Sequence, residues 1–218
     1  MKLKRRQFLL LSSLSAIGAG CVASISRLNG KNDNSAIEPA IAKTPSTKKD
    51  LLLRFVSVAD TGTGAGGQYA VARAMTNYHS KNPYNLVILA GDNIYNNGEI
   101  EKINAVFERP YAPLIKKGVK FQAALGNHDI RTANGDPQIK YLGFNMKGRY
   151  YTFTRDQVQF FALDTNNNAD WNNQLIWLEK ELSRSQATWK IVFGHHPIYA
   201  SGVYGSNPDF IKTFTPLF

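Results

Sequence analysis

The sequence predicts an α/β fold in layers, with at least one mixed sheet, and three observations lead there. Short apolar strand candidates alternate with amphipathic stretches of helical period from Leu51 onward. Two of the later strands flank Arg155-Asp156-Gln157 as a hairpin, which a purely parallel sheet does not contain. Polar clusters rich in Asp, Asn and His fall directly after four of the strands, where α/β proteins assemble their sites.

Taken in order, Leu51–Ala59 is a strand that ends at Asp60, and a loop carrying Gly62, Gly64, Gly66 and Gly67 follows. Gln68–Ser80 has the spacing of an amphipathic helix. Asn85–Ala90 is a continuous apolar run, the pattern of a strand buried on both faces. Glu99–Ile115 reads as a helix interrupted at Pro110 and Pro113, and Val119–Leu125 as a third strand. Tyr150–Thr154 and Val158–Leu163 form the hairpin. Asp170–Ser183 is a helix with Leu175, Leu178 and Leu182 on one face, and Trp189–Phe193 is the last strand.

Ahead of this domain, expected over 51–218, the chain carries an address. Lys4-Arg5-Arg6 precedes an apolar run, Phe8 to Ile17, and then Gly18-Ala19-Gly20-Cys21. A basic start, an apolar stretch too short to span a bilayer and small residues at its end define an export signal over 1–23, leading to a periplasmic or extracellular destination. The paired arginines before Phe8-Leu9 resemble the twin-arginine type, which exports folded proteins. Cys21, the single cysteine, occupies the place of a lipoprotein's acylated residue; cleavage near Ala23 is the alternative. Contact with a membrane is expected only through this segment. Residues 24–50 are rich in Ser, Asn, Lys, Thr and Pro and read as a flexible linker. A single cysteine excludes an internal disulfide. The formal charge of +10 falls to +6 without the signal's four basic residues, and no dense Lys/Arg stripe points to nucleic acid.

Singly, each polar cluster has a structural explanation: Asp60 as a turn residue, Asp92 as a loop cap, Asn127 and His128 as turn formers, His195 as a hydrogen-bonded core histidine. The pair His195-His196 points two ways on an extended chain, so one of them is expected to face a shared site. Together the residues form a set of hard and borderline O/N donors suited to first-row metal ions rather than a thiolate zinc site. A carboxylate among them could bridge two ions.

The blocks Asp60-Thr61-Gly62, Gly91-Asp92-Asn93-Ile94-Tyr95, Gly126-Asn127-His128-Asp129 and Gly194-His195-His196-Pro197 resemble, in order, those of the calcineurin-like metallophosphoesterases. Tyr95, three residues after Asp92, resembles the addition made by the purple acid phosphatases. This resemblance covers residues 51–218 and implies an α/β/β/α sandwich. It implies that Asp60 and Tyr95 bind a first metal, Fe(III), that Asp92 bridges, and that Asn127 and His195 bind a second, Fe(II), Zn(II) or Mn(II). His128 would stand beside the phosphate as hydrogen-bond donor or general acid. The implied activity is hydrolysis of small phosphate esters, as an acid phosphatase, by in-line attack of a metal-bound hydroxide.

Two departures from the family's pattern stand out. Tyr204 takes the place of a histidine that assists the leaving group in the mammalian-like branch. The family's last block, Gly-His-x-His, is absent. Thr215-Pro216 reads as a helix start followed only by Leu217 and Phe218, so the domain is expected to be incomplete at its C-terminus. On that expectation metal binding is weak and the alternative function is a catalytically incompetent phosphoesterase-fold domain. Two other classes compete. Gly62-x-Gly64-x-x-Gly67 after a strand imitates a dinucleotide fingerprint and suggests an NAD-binding oxidoreductase. Asp60-Thr61-Gly62 matches the aspartic protease triplet, on a fold that should then be all β.

Overall fold

The computed structural model describes residues 8–10 and 53–218. The lipidation site Cys21, the linker over 24–50 and most of the export signal lie outside the described residues. The strands are β1 (Phe8–Leu10), β2 (Val56–Val58), β3 (Leu86–Ala90), β4 (Lys120–Ala124), β5 (Tyr151–Arg155), β6 (Val158–Ala162) and β7 (Trp189–Phe193). The α-helices are α1 (Gly66–Lys81), α2 (Arg109–Lys116), α3 (Asp136–Lys140), α4 (Trp171–Arg184) and α5 (Pro208–Phe214).

Two sheets result. One runs β2-β3-β4, all parallel; the other runs β1-β7-β6-β5, in which only the β5–β6 pair is antiparallel. The hairpin turns on two residues, Asp156 and Gln157, with Asp156 at φ 51°. That left-handed conformation matches the strand twist and is one that Asp tolerates.

The alternation along β3 sets the layers. Leu86 and Ile88 pack between the sheets with Tyr151, Phe153, Phe160, Ile191 and Phe193. Val87 and Leu89 face Ala72 and Met75 of α1 and Tyr111 and Leu114 of α2. On the far side of the second sheet, Phe161, Leu163 and Val192 meet Leu178 and Leu182 of α4 and Phe214 of α5. The order is therefore helix, sheet, sheet, helix. Leu86, Ile88 and Phe160 are fully buried, and each such side chain contributes roughly 1.5–3 kcal/mol of transfer free energy. The all-β architecture of an aspartic protease is excluded.

Several elements differ from the sequence reading. The first strand shortens to Val56–Val58, since only that part finds a partner in β3. The helix expected over Glu99–Ile115 is three pieces: a 3-10 turn at Ile100–Lys102, a π turn at Asn104–Glu108, and α2 with Pro110 in its first turn. Pro is tolerated there because first-turn N–H groups lack intrahelical partners. Thr215-Pro216 starts a short 3-10 helix rather than an α-helix. The α-helical start lies at Asn207-Pro208, where the Asn207 side chain accepts the Phe210 N–H at 3.0 Å, and Thr215–Leu217 is a 3-10 turn closing the segment. Leu217 and Phe218 pack on the third core cluster, Phe218 stacking on Phe214 at 6.3 Å between ring centroids.

Candidate metal centre

The parallel register of β2, β3 and β4 brings their carboxyl ends to one rim, and β7 ends beside them. Asp60 follows β2, Asp92 follows β3, Asn127 follows β4 and His195 follows β7. The loops are tied to each other before any ligand is considered. Asp60 N–H donates to Gly91 O at 3.0 Å, Gly62 N–H to Asp92 O at 3.2 Å, and Tyr95 N–H to Gly62 O at 2.8 Å. Asp60 and Asp92 both hold positive φ, 58° and 53°. Backbone strain of this kind at two non-glycine residues costs about 1–3 kcal/mol each and concentrates at functional sites.

Close approach explains two glycines. A methyl group on Gly126 would overlap the backbone nitrogen and Oδ1 of Asp92, and one on Gly62 would overlap the carbonyl of Asn93. Gly62 thus serves loop-to-loop packing. The gathering of Asp60, Asp92 and His195 within 4.8 Å is a feature that the oxidoreductase reading does not explain.

Oxygen and nitrogen atoms of Asp60, Asp92 and His195 lie within 4.8 Å of one another. Tyr95 Oη donates to Asp60 Oδ1 at 3.0 Å, and Asn127 Oδ1 lies 3.0 Å from His195 Nε2. The five residues expected to hold metal therefore meet in one place. They line a cleft of about 770 Å³ together with His128, His196, Tyr204, Gly205 and Ser206.

The donor chemistry fits cations. His195 Nδ1 lies 3.1 Å from the Ala90 carbonyl, which can only accept, so Nδ1 carries the proton. His195 Nε2 faces Asn127 Oδ1 at 3.0 Å and Asp92 Oδ1 at 3.6 Å. Oxygen and nitrogen donors of the kind that hold first-row metal ions thus converge there. Burial raises the Asp60 carboxyl above its ordinary range, against the pull of His195 and Tyr95. Burial, with Asp92 and Asp60 close by, likewise raises the Tyr95 phenol, which stays protonated in the absence of a cation.

His128 stands at the edge. Its backbone N–H donates to Asp92 Oδ1 at 3.0 Å, and its Nε2 lies 3.9 Å from Asp92 Oδ2. The ring gives its Nδ1 proton to the Asn96 carbonyl at 2.6 Å, and Arg131 Nη2 sits 3.4 Å from Nε2. His196 faces elsewhere with its Nδ1, which pairs with Thr165 Oγ1 at 2.8 Å, although its ring still lines the cleft. Burial lowers the His196 imidazole below its ordinary range, and the neighbouring His195 adds to this.

Asp129, next to His128 in the chain, is a residue of this site to which the sequence alone gives no part. It is fully buried, and its carboxylate accepts N–H groups from Asn93 at 2.9 Å, Ile94 at 3.0 Å and Gly126 at 2.8 Å, with the side chains of Asn93 and Gln138 at 3.0 and 3.1 Å. Burial pushes it up to about 6, while the donors from Gly126 and Asn93 pull it down. The signal was its place beside Asn127-His128; the partners, 35 and 36 residues away, were not readable.

A sequence profile of the family described as Calcineurin-like phosphoesterase matches residues 53–216. Purple acid phosphatase 7 of Arabidopsis thaliana is 30% identical over 210 residues, covering 80% of this chain and 63% of that protein. Tartrate-resistant acid phosphatase type 5 of Mus musculus is 26% identical over 212 residues, covering 80% and 64%. The chain thus spans less than two thirds of the length of these relatives. Among solved structures, GAP50, described as the anchor in the inner membrane complex of Plasmodium, superposes with a TM-score of 0.62 at 22% identity over 76% of this chain and 61% of that one. A purple acid phosphatase from yellow lupin, Lupinus luteus, gives 0.60 at 18% over 76% and 35%. At those identities the two structures speak for the fold alone. With its strand-end clusters gathered on one rim and its sequence matched from 53 to 216, the chain belongs to the calcineurin-like phosphoesterase family.

Proposed function

We propose that the chain is a metal-dependent hydrolase of small phosphate esters, of acid phosphatase type, with a centre for two ions. The observation that carries this reading is the gathering of donor atoms of Asp60, Asp92 and His195 within 4.8 Å of one another, with Asn127 Oδ1 3.0 Å from His195 Nε2. Asp60 and Tyr95 would hold one ion, Asn127 and His195 the other, and Asp92 both. Fe(III) with Fe(II), Zn(II) or Mn(II) suits a phenol, carboxylates, an amide oxygen and an imidazole. Bound there, such ions supply positive charge that acidifies a water and offsets charge developing on phosphorus.

The side chains do the rest. Asp92 orients His128 through the backbone N–H, and the His128 ring, which lines the cleft, would hydrogen-bond the ester or pass it a proton. Tyr204 stands at the lip, 89% exposed. A phenol there is a weak acid, so protonation of the leaving group falls to His128 or His196. Export through the twin-arginine segment accompanies this reading; retention in the cytoplasm of an Arg5→Lys, Arg6→Lys protein would support it, and unchanged export would count against it.

The test is hydrolysis of an aryl phosphate at acidic pH by protein purified with iron, zinc or manganese. Activity should vanish on chelation and return with metal. Undiminished turnover after exhaustive metal removal would refute the reading. A second reading, a phosphoesterase-fold domain without catalysis, predicts metal or anion binding without turnover.

A further inference from the structure

β6 runs parallel to β7, so its carboxyl end reaches the same rim, and it brings there a residue to which no ligand part falls. That residue is Thr165, three positions beyond the strand and 5% exposed. Its methyl lies 2.7 Å from where a Cβ on Gly194 would stand, so only glycine lets it pack there. Its hydroxyl makes both of its contacts to His196. Oγ1 accepts the His196 backbone N–H at 3.0 Å and lies 2.8 Å from His196 Nδ1. Thr165 thus holds the turn Gly194-His195-His196 by packing at one end and by two hydrogen bonds at the other.

The hydroxyl also sets the ring's proton. Oγ1 already accepts the His196 N–H, and among the described residues its own hydrogen has no acceptor other than Nδ1. With Nδ1 as acceptor the imidazole is neutral and carries its proton on Nε2. The Thr165 backbone also acts on the ring, less than His195, Asp92 or Asp164 do, and a proton on Nδ1 would be its signature. Nε2 has no protein partner among the described residues and is open to solvent, in a ring that lines the metal cleft. The His195 and His196 rings meet edge to face at 4.9 Å between centroids, so successive residues both reach the cleft. His195 turns to Asp92 and Asn127, and His196 does not. Resting on the proposed phosphoesterase activity, we infer that His196 Nε2–H donates to an oxygen of the phosphate ester, and that Thr165 is the positioning residue that fixes this donor. Phosphate oxygens carry negative charge, which makes the bond charge-assisted. A neutral imidazole keeps its remaining proton, so His196 binds the ester and proton transfer is left to His128.

The first measurement is the tautomer of His196, read by nitrogen NMR on the zinc-loaded full chain at pH 8, above the ordinary imidazole range. A proton on Nε2 is expected, giving way to a mixture of both forms in Thr165→Val. A proton on Nδ1 in the wild type would overturn the inference. The second measurement is calorimetric binding of inorganic phosphate at equal zinc content. His196→Ala should weaken it about 10- to 100-fold, the usual contribution of a hydrogen bond to a charged group, and Thr165→Val about three- to tenfold. Thr165→Ser, which keeps the hydroxyl, should bind as the wild type does. In the His196→Ala background Thr165→Val should add nothing, because it acts through that ring. Additive losses would make Thr165 merely structural and overturn its part. Zinc lost with His196→Ala would make His196 a metal ligand and overturn the inference too. If the wild type bound no phosphate, the phosphoesterase reading would fall first and this donor with it. Wild-type binding that neither variant changes would leave that reading intact and remove only the donor.

Discussion

The carboxylate of Asp129 accepts the backbone N–H of Asn93 at 2.9 Å and so fastens the turn that carries Asn127 to the loop that carries Asp92 and Tyr95. It also takes the Gly126 N–H at 2.8 Å, within its own turn. No ligand part falls to Asp129, yet two of the loops that deliver candidate ligands are positioned through it.

Asp129→Asn keeps the size but turns an NH2 group toward donors. At least one buried N–H then loses its partner, at a cost of about 1–3 kcal/mol. At pH 4, where ionisation of Asp129 does not offset the loss, the variant should unfold earlier, and it should bind metal more weakly than wild type, measured by chemical denaturation and by titration with Zn(II). Wild-type affinity together with wild-type stability would show that the loops do not depend on it.

The pH dependence of the metal-free protein has a defined sign. Asp129 is raised from 3.8 to about 6 by burial, so the folded state holds its proton more tightly than the unfolded chain does. Its contribution to stability is present below pH 4 and lost as pH rises through 6. The two-unit interval corresponds to roughly 2–3 kcal/mol. The stability difference between wild type and Asp129→Asn should therefore shift in favour of Asn by that order on going from pH 4 to pH 7. A shift of opposite sign would mean that the N–H donors outweigh burial.

Gly126→Ala places a methyl on the backbone and carboxylate of Asp92. Neither neighbour can move without disturbing the rim. Expected are a loss of more than about 2 kcal/mol in stability and failure to bind metal at micromolar concentration, read by calorimetry. A fully stable variant that still binds would contradict the packing described.

His128→Ala should retain metal, because the ring is hydrogen-bonded to Asn96 and Arg131 rather than set among the ligands. The turnover number should fall about 10²–10⁴-fold, the usual contribution of a positioned acid–base group. Metal analysis that showed an ion lost with the ring would make His128 a ligand.

Much of this was legible in the sequence, for reasons that differ by element. The run Leu86–Ala90 is apolar at every position because both of its faces are covered, and it could hardly be anything else. Trp189–Phe193 and the hairpin at Asp156-Gln157 were equally clear from length and turn chemistry. The four strand-end clusters pointed to one rim because parallel strands share a carboxyl end. What escaped was whatever depended on distant partners. The interrupted helix at 100–116 follows from how Phe107 and Tyr111 pack on Phe121, which no local pattern encodes. The helix start at Asn207-Pro208 was encoded locally, but Thr215-Pro216 carries the same signal and competes with it.

The central claim is that Asp60, Asp92 and His195 make a cation site on which phosphate ester hydrolysis depends. The most direct measurement is the metal content of wild type and Asp92→Ala after equilibrium dialysis against the same iron, zinc or manganese, with aryl phosphatase activity assayed on the same samples. Wild type should retain metal and turn over, and Asp92→Ala should lose both together, since Asp92 Oδ1 is 3.6 Å from His195 Nε2 at the centre of the group. Equal metal content and equal activity in the two proteins would contradict the account.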